Sequence, residues 1–206
     1  PNGLPPQSAA YVGQNLDGNY VYTWTVTPAT PNGPAAINAL AADRAGNEAL
    51  AASNIITVNK NRITGHVELQ NFVGSSRDVI FTVTGNTTKT YLCTLTGFVG
   101  PTAEYCLEDV PDGVTAVSAK TAWSLRRRIN LSLDGQGQAL GDFTDASKLL
   151  GGDLNASNYV NTADYVILMS DWYTTLPRAD INGDGRVNSV DYTIMKWNWY
   201  KIGDPE

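Results

Sequence analysis

The chain has 206 residues, 42% of them hydrophobic, and its 19 glycines and 10 prolines break it into many short apolar runs. With 14 Lys and Arg against 20 Asp and Glu, the net charge of −6 argues against nucleic acid as a partner, which needs a basic face. The run LRRR at 125–128 is too short to reverse this, and no apolar run reaches membrane-spanning length.

The chain opens on a turn-rich lead, PNGLPPQSAAYVGQNLDGN. In YVYTWTVTP, Tyr20, Tyr22, Trp24 and Val26 alternate with Val21, Thr23 and Thr25, the period-2 signature of a half-buried strand. The alanines of AAINALAADRAGN suggest a helix, but the turn signal DRAGN favours strand, loop, strand, ending in SNIITVNK.

Residues 61–146 carry the strand candidates ITGHVELQ, RDVIFTV, TKTYLCTLTG, TAEYCLED, VTAVSAKT, LRRRINLSL and QALGDF. Turn signals separate them, and their number and spacing fit a small β-sandwich. Cys93 and Cys106 flank the turn-like FVGP. If the two runs fold as a hairpin, the cysteines fall opposite each other, and a bridge would close a loop of about 14 residues and contribute about 3 kcal/mol. Two buried free thiols are the alternative. His66, the one histidine, lies in a strand-like run, and no nucleophile set or paired carboxylates outside the last segment suggest an enzyme.

The last segment, 147–206, changes character. Helix periodicity appears in NTADYVILMSDWYTT and NSVDYTIMKWNWYKI, which align without gaps. Asp153 aligns with Asp180, Asn161 with Asn188, Tyr165 with Tyr192 and Trp172 with Trp199, a tandem offset of about 27 positions. The two tryptophans recur at equivalent places and are expected in the core.

The repeated stretch before each helix has the chemistry of a calcium loop. Calcium takes hard oxygen ligands from loop positions 1, 3, 5, 7, 9 and 12. Counted from Asp180, these are Asp180, Asn182, Asp184, the carbonyl of Arg186, Asn188 and Asp191. Gly185 sits at position 6, where the turn needs positive φ. Apolar Val187 at position 8 suits a short backbone bridge between two paired loops. The first loop supplies Asp153, Asn155, Ser157, the carbonyl of Tyr159, Asn161 and Asp164. It departs twice: Ser157 replaces a carboxylate, and Asn158 replaces the turn glycine. A surface loop rich in Asx turns uses the same residue types, but two matches at a fixed offset favour calcium. Three carboxylates in the second loop against two in the first predict tighter binding at the second.

Gly151, Gly152 and Pro177 leave no room for an entering helix, so each unit is loop then helix. Two such units, over about residues 150–203, resemble a dockerin. The order strand, ADRAGN, strand resembles the closing strands of bacterial immunoglobulin-like domains, and ITGHVELQ with DVPDG resembles prealbumin-like modules. The resulting expectation is a mainly β chain with a small α C-terminal domain. Residues 1–60 would be the C-terminal part of an immunoglobulin-like β domain, 61–146 a β-sandwich, and 147–206 a dockerin-like domain.

The dockerin resemblance implies two calcium ions and a cohesin-type partner or a neighbouring module. It also implies an extracellular or cell-surface setting, often with polysaccharide degradation. The strands before residue 60 make only about half of an immunoglobulin-like sandwich, so either further domains lie upstream in the same polypeptide, the preferred reading, or this segment borrows partners from a neighbour. The dockerin resemblance places the partner surface on Thr162, Ala163, Met169 and Ser170 in the first repeat, and on Ser189, Val190, Lys196 and Trp197 in the second. Of the Lys-Arg pair common in the family, only Lys196 is kept, which leaves the partner class open. Trp197 would be either an interface anchor or packed on the neighbouring β-module. The alternatives to docking are a structural anchor, with Trp197, Trp199 and Tyr200 buried against the sandwich, and a carbohydrate binder using Trp24 and Trp123.

Overall fold

The computed structural model describes residues 10–14, 20–23, 25–27, 30, 32–42, 45 and 48–206. They fall into two units, divided after Lys60. In the first, β1 (Ala10–Gln14) pairs antiparallel with β2 (Tyr20–Thr23). The strand β1 lies inside the lead read from sequence as turns. A second antiparallel pair joins β3 (Gly33–Ala42) to β4 (Glu48–Val58), with a bulge between Ala39 and Leu40. The strand-loop-strand reading therefore holds over the helical one. Trp24 and most of the turn DRAGN lie outside the described residues.

The second unit, residues 61–206, begins as two facing sheets. Its strands are β5 (Arg62–Glu68), β6 (Ser76–Thr84), β7 (Thr88–Thr96), β8 (Thr102–Glu108), β9 (Ala116–Lys120), β10 (Arg127–Asn130) and β11 (Gln138–Leu140). One sheet runs β10-β9-β6-β7 and the other β11-β5-β8, with β11 parallel to β5 and every other pairing antiparallel. Each strand read from the alternation in this region is present.

The alternation explains the core. Val79, Phe81 and Val83 of β6 face Ile63 and Val67 of β5 and Tyr105 and Leu107 of β8, all in one buried cluster with Phe143. Phe81 stacks on Tyr105 with ring centroids 4.4 Å apart. The Tyr105 hydroxyl donates to the Gly141 carbonyl at 2.6 Å. Here the chain after β11 runs so close to β5 that a Cβ on Gly65 would lie 2.2 Å from the Gly141 oxygen, so only glycine fits.

The cysteine expectation is corrected. The chain from β7 to β8 crosses from one sheet to the other instead of turning a hairpin, with Gly97 (φ 69°) and Gly100 (φ 61°) in the left-handed region. Cys93 is therefore opposite Val79, and Cys106 opposite Thr64. Cys93 packs against the core, Cys106 is exposed between inward-facing Tyr105 and Leu107, and both are free thiols.

The connection out of the sandwich is held on both sides. Leu149 N–H donates to the Glu68 carbonyl, and Gln70 N–H donates back to Leu149. Leu125 N–H donates to the Leu150 carbonyl, and Gly152 N–H to the Trp123 carbonyl. Two helices follow, α1 (Thr162–Ser170) and α2 (Ser189–Trp197). They share a second core of Leu125, Val160, Leu168, Ala179, Ile181, Val187, Ile194 and Met195. Trp172 and Trp199 pack against it. Among the described residues, no helix is long and apolar enough to cross a membrane.

Candidate metal centre and docking face

Each loop closes on its first and last acid. In the second, Asp180 Oδ1 accepts from the amides of Gly183 (2.8 Å) and Asp184 (3.2 Å), and Oδ2 from Gly185 (2.9 Å). Asp191 Oδ1 accepts from Ile181 (2.8 Å) and Asn182 (3.1 Å). Its Oδ2 accepts from Asn188 N–H at 2.9 Å, while Asn188 Oδ1 caps α2 by accepting from Val190 N–H at 2.8 Å. This capping box makes the loop's position 9 and position 12 residues also the start of the helix.

The first loop repeats the scheme. Asp164 Oδ1 accepts from Leu154 (2.8 Å) and Asn155 (3.1 Å), and Oδ2 from Asn161 N–H (2.8 Å). Asn161 caps α1 through Ala163 N–H at 2.7 Å. The backbone matches too: Ala156 (φ 61°) and Asn158 (φ 63°) take the left-handed places that Gly183 (74°) and Gly185 (86°) hold in the second loop. An alanine there gives no sequence signal.

The residue at position 6 of the first loop has a further role. Asn158 N–H donates to Asp153 Oδ2 at 2.9 Å. Its side-chain oxygen accepts from Arg126 N–H at 2.7 Å, and its amide donates to the Asp204 carbonyl at 3.0 Å. Arg128 N–H reaches Asp204 Oδ2 at 2.8 Å, and the Arg126 guanidinium pairs with Glu206 at 2.8 Å. The basic run thus holds residues 204–206 and the first loop, and Asn158 stands where glycine was expected because its side chain joins them.

Among the described residues, the direct backbone bridge between the loops that the apolar position 8 suggested is absent. Val187 exchanges hydrogen bonds with Tyr173 and Thr174 after α1, and Val160 with Tyr200 and Lys201 after α2. The chain leaves each helix through a left-handed tyrosine, and that turn presents its backbone to the opposite loop.

The oxygens fit a hard cation on two observations. Asp153 is fully buried, and its Oδ1 has no hydrogen-bond partner among the described residues. Burial also pushes the Asp191 carboxyl above its ordinary range, against the amides of Asn188, Asn182 and Ile181, and nearby Asp180 adds to the upward push. Adjacent buried carboxylates are what a dication relieves. Among the described residues, no group of three His, Cys, Asp or Glu side chains is placed to hold a metal by itself. A metal held at either loop would need amide and carbonyl oxygens as well, which suits calcium better than a softer ion.

The sandwich reaches into both loops. Buried Arg77 of β6 donates from Nη2 to the carbonyls of Asp180 and Ile181, each at 3.2 Å, and stacks 3.8 Å from the centroid of Trp123. Burial lowers its pKa to about 10 while Asp180, Asp191 and Asp78 pull it up. Lys120 of β9 pairs with Asp153 Oδ2. Asn198, at the end of α2, donates to the Gly151 carbonyl at 2.7 Å and bonds Gln70. Sequence reasoning missed these contacts, because each joins positions far apart in the chain.

On α1 and α2, Thr162, Ala163, Met169, Ser170, Ser189, Val190, Lys196 and Trp197 are all exposed. Trp197 is 57% and Tyr200 67% exposed, so neither is buried against the sandwich as the anchor reading required. Trp199 packs inside the repeats, beside Tyr165. Trp123, a suggested sugar platform, is covered by Arg77.

Residues 151–198 match the family model of the dockerin type I domain. The C-terminal part of this mainly β chain is therefore similar to a dockerin type I domain. Among solved structures, the chain is similar to one from an N-terminal interface mutant of a type II cohesin-X-dockerin complex from Acetivibrio cellulolyticus. The identity is 21%, covering 69% of this chain and 97% of that one, with a TM-score of 0.50, a likeness of fold. The C-terminal interface mutant of that complex matches at 20% identity over the same shares, with a TM-score of 0.47. No curated protein matches the chain.

Proposed function

We propose that residues 147–206 form a calcium-dependent docking module for a cohesin-type protein, and that residues 61–146 are the β-sandwich supporting it. The match of 151–198 to the dockerin type I domain carries this reading. The two loops and the exposed helix residues support it.

Two calcium ions would be held by Asp153, Asn155, Ser157, the Tyr159 carbonyl, Asn161 and Asp164, and by Asp180, Asn182, Asp184, the Arg186 carbonyl, Asn188 and Asp191. Bound calcium supplies positive charge that offsets the buried acids and fixes each loop. The protein's own residues do the rest. Asp164 and Asp191 tie loop closure to helix capping, so loop order sets the start of α1 and α2. The cross-linked helix exits then hold the two exposed helix faces in one relation. Thr162, Ala163, Ser189, Val190, Lys196 and Trp197 form the partner surface in this reading, with Trp197 as its aromatic anchor. A domain this small is marginal on burial alone, so metal binding contributes folding energy.

The setting that goes with this function is extracellular or at the cell surface, tethering a larger polypeptide within an assembly that often degrades polysaccharides. Capture of the full chain on immobilised type I and type II cohesins, with calcium and with EDTA, tests it. Calcium-dependent capture on either type supports docking. Absence of capture across diverse cohesins returns the repeats to a structural role.

A further inference from the structure

We propose that Lys120, a sandwich residue, is a fixed counter-charge that weakens calcium binding at the first loop and keeps that loop ordered without metal. This rests on the reading of the loops as calcium sites.

The argument starts from an asymmetry between the first acids of the two loops. Among the described residues, the Asp180 carboxylate accepts from backbone amides alone, those of Gly183, Asp184 and Gly185. Arg77 donates only to the carbonyls there, not to the carboxylate. Asp153 differs: its Oδ2 takes both the Asn158 amide and the Lys120 ammonium. The Asp153 side chain is 0% exposed and that of Lys120 only 14%, so solvent screens the pair weakly. The ammonium is also anchored from behind. It donates to the Ser124 carbonyl at 3.0 Å, and the turn beneath it is closed by Thr121 N–H on Ser124 Oγ at 2.9 Å.

Asp153 therefore has one oxygen committed to a resident cation and the other, Oδ1, buried with no partner among the described residues. A dication bound through Oδ1 must share the carboxylate with a positive charge that cannot swing away. That repulsion lowers affinity. The same charge offsets the buried carboxylate when no metal is bound, and so keeps the loop from opening. In the second loop the buried Arg77 guanidinium bonds the carbonyls of Asp180 and Ile181 and acts on the carboxylates only through space, so the order of that loop depends more on the ion.

Calcium titration calorimetry on the EDTA-stripped full chain tests this, with Asp153→Ala assigning the step that belongs to the first loop. Lys120→Met is expected to tighten that step by about tenfold, the order of one charge acting through a shared carboxylate, and to change the other step by clearly less. Lys120→Gln, which keeps a donor and removes the charge, should tighten it likewise. In EDTA, amide exchange at Asn158 and Asn161 should be faster in both variants than in the parent chain. A first-loop step that stays unchanged or weakens in both variants overturns the proposal while leaving the calcium reading intact. A parent chain that takes up no calcium overturns both.

Discussion

Val160 and Val187 occupy the same place in the two loops, and each is hydrogen-bonded to the exit of the other repeat's helix. The Tyr200 amide donates to the Val160 carbonyl and the Tyr173 amide to the Val187 carbonyl, both at 2.9 Å. Lys201 and Thr174 return the bonds by accepting from Val160 and Val187. Both tyrosines have φ of 63°, so the two turns are alike in backbone as well as in partner. Disorder in one loop is therefore passed to the end of the opposite helix, and the repeats should respond to metal as a coupled pair.

The loops themselves should not be equal. Asp180→Ala removes one of three carboxylates from the second loop, and Asp153→Ala one of two from the first, where Lys120 already offsets charge. Calcium titration of the two variants should show the larger loss for Asp180→Ala, by about an order of magnitude. A larger loss for Asp153→Ala would refute the ranking.

Arg77 should matter to stability beyond its own sheet. Replacing it with alanine leaves the buried carbonyls of Asp180 and Ile181 without their donor and uncovers Trp123. The expected cost is about 2–4 kcal/mol by denaturant unfolding of the full chain. Arg77→Lys should not restore it, since an ammonium cannot both stack and fork. Full recovery with lysine would contradict the assigned role.

Much of this was legible in the chain because the repeats state their chemistry twice. The side chains from Asp180 to Asp191 alternate oxygen donors, and the same order from Asp153 to Asp164 removes accident as an explanation. The strands of the sandwich were legible from alternation, as in Val79, Phe81 and Val83. Alternation does not say which strand a run pairs with. FVGP between two alternating runs reads equally as a hairpin or as a crossing between sheets, and the crossing put Cys93 and Cys106 on different partners. Arg77, Lys120 and Gln70 carry no local mark of their role, because the carbonyls and carboxylates they meet are supplied from far along the chain. Asn158 did carry a mark, as the departure from glycine at position 6, and its side-chain bonds to Arg126 and Asp204 explain it.

Acid should act on one pair in particular. Asp171, just after α1, receives Arg178 Nε at 2.5 Å and Nη2 at 2.6 Å. The guanidinium hydrogen bond holds this carboxyl below its ordinary value of 3.8, outweighing the upward push of burial. A lowered folded-state pKa means the pair stabilises fully above the unfolded value, and the contribution is lost as pH falls through the lowered one. Arg178→Ala should therefore melt earlier than the parent chain near neutral pH, and the gap should narrow below about pH 4. A gap that is constant down to about pH 3 would remove the pair from the account.

Trp197 separates stability from docking. It is more than half exposed on α2, so Trp197→Ala should shift stability by less than about 0.5 kcal/mol. On a cohesin that captures the parent chain, the same change should weaken binding by about tenfold or more. Unimpaired capture would move the anchor elsewhere on the helices.

The most direct measurement is amide hydrogen exchange across Thr162–Ser170 and Ser189–Trp197 in the full chain, with calcium and after EDTA. If calcium gives the repeats their shape, protection falls sharply over the second helix and by a smaller factor over the first, while the sandwich strands stay protected. Equal protection of both helices with and without the chelator would contradict the account.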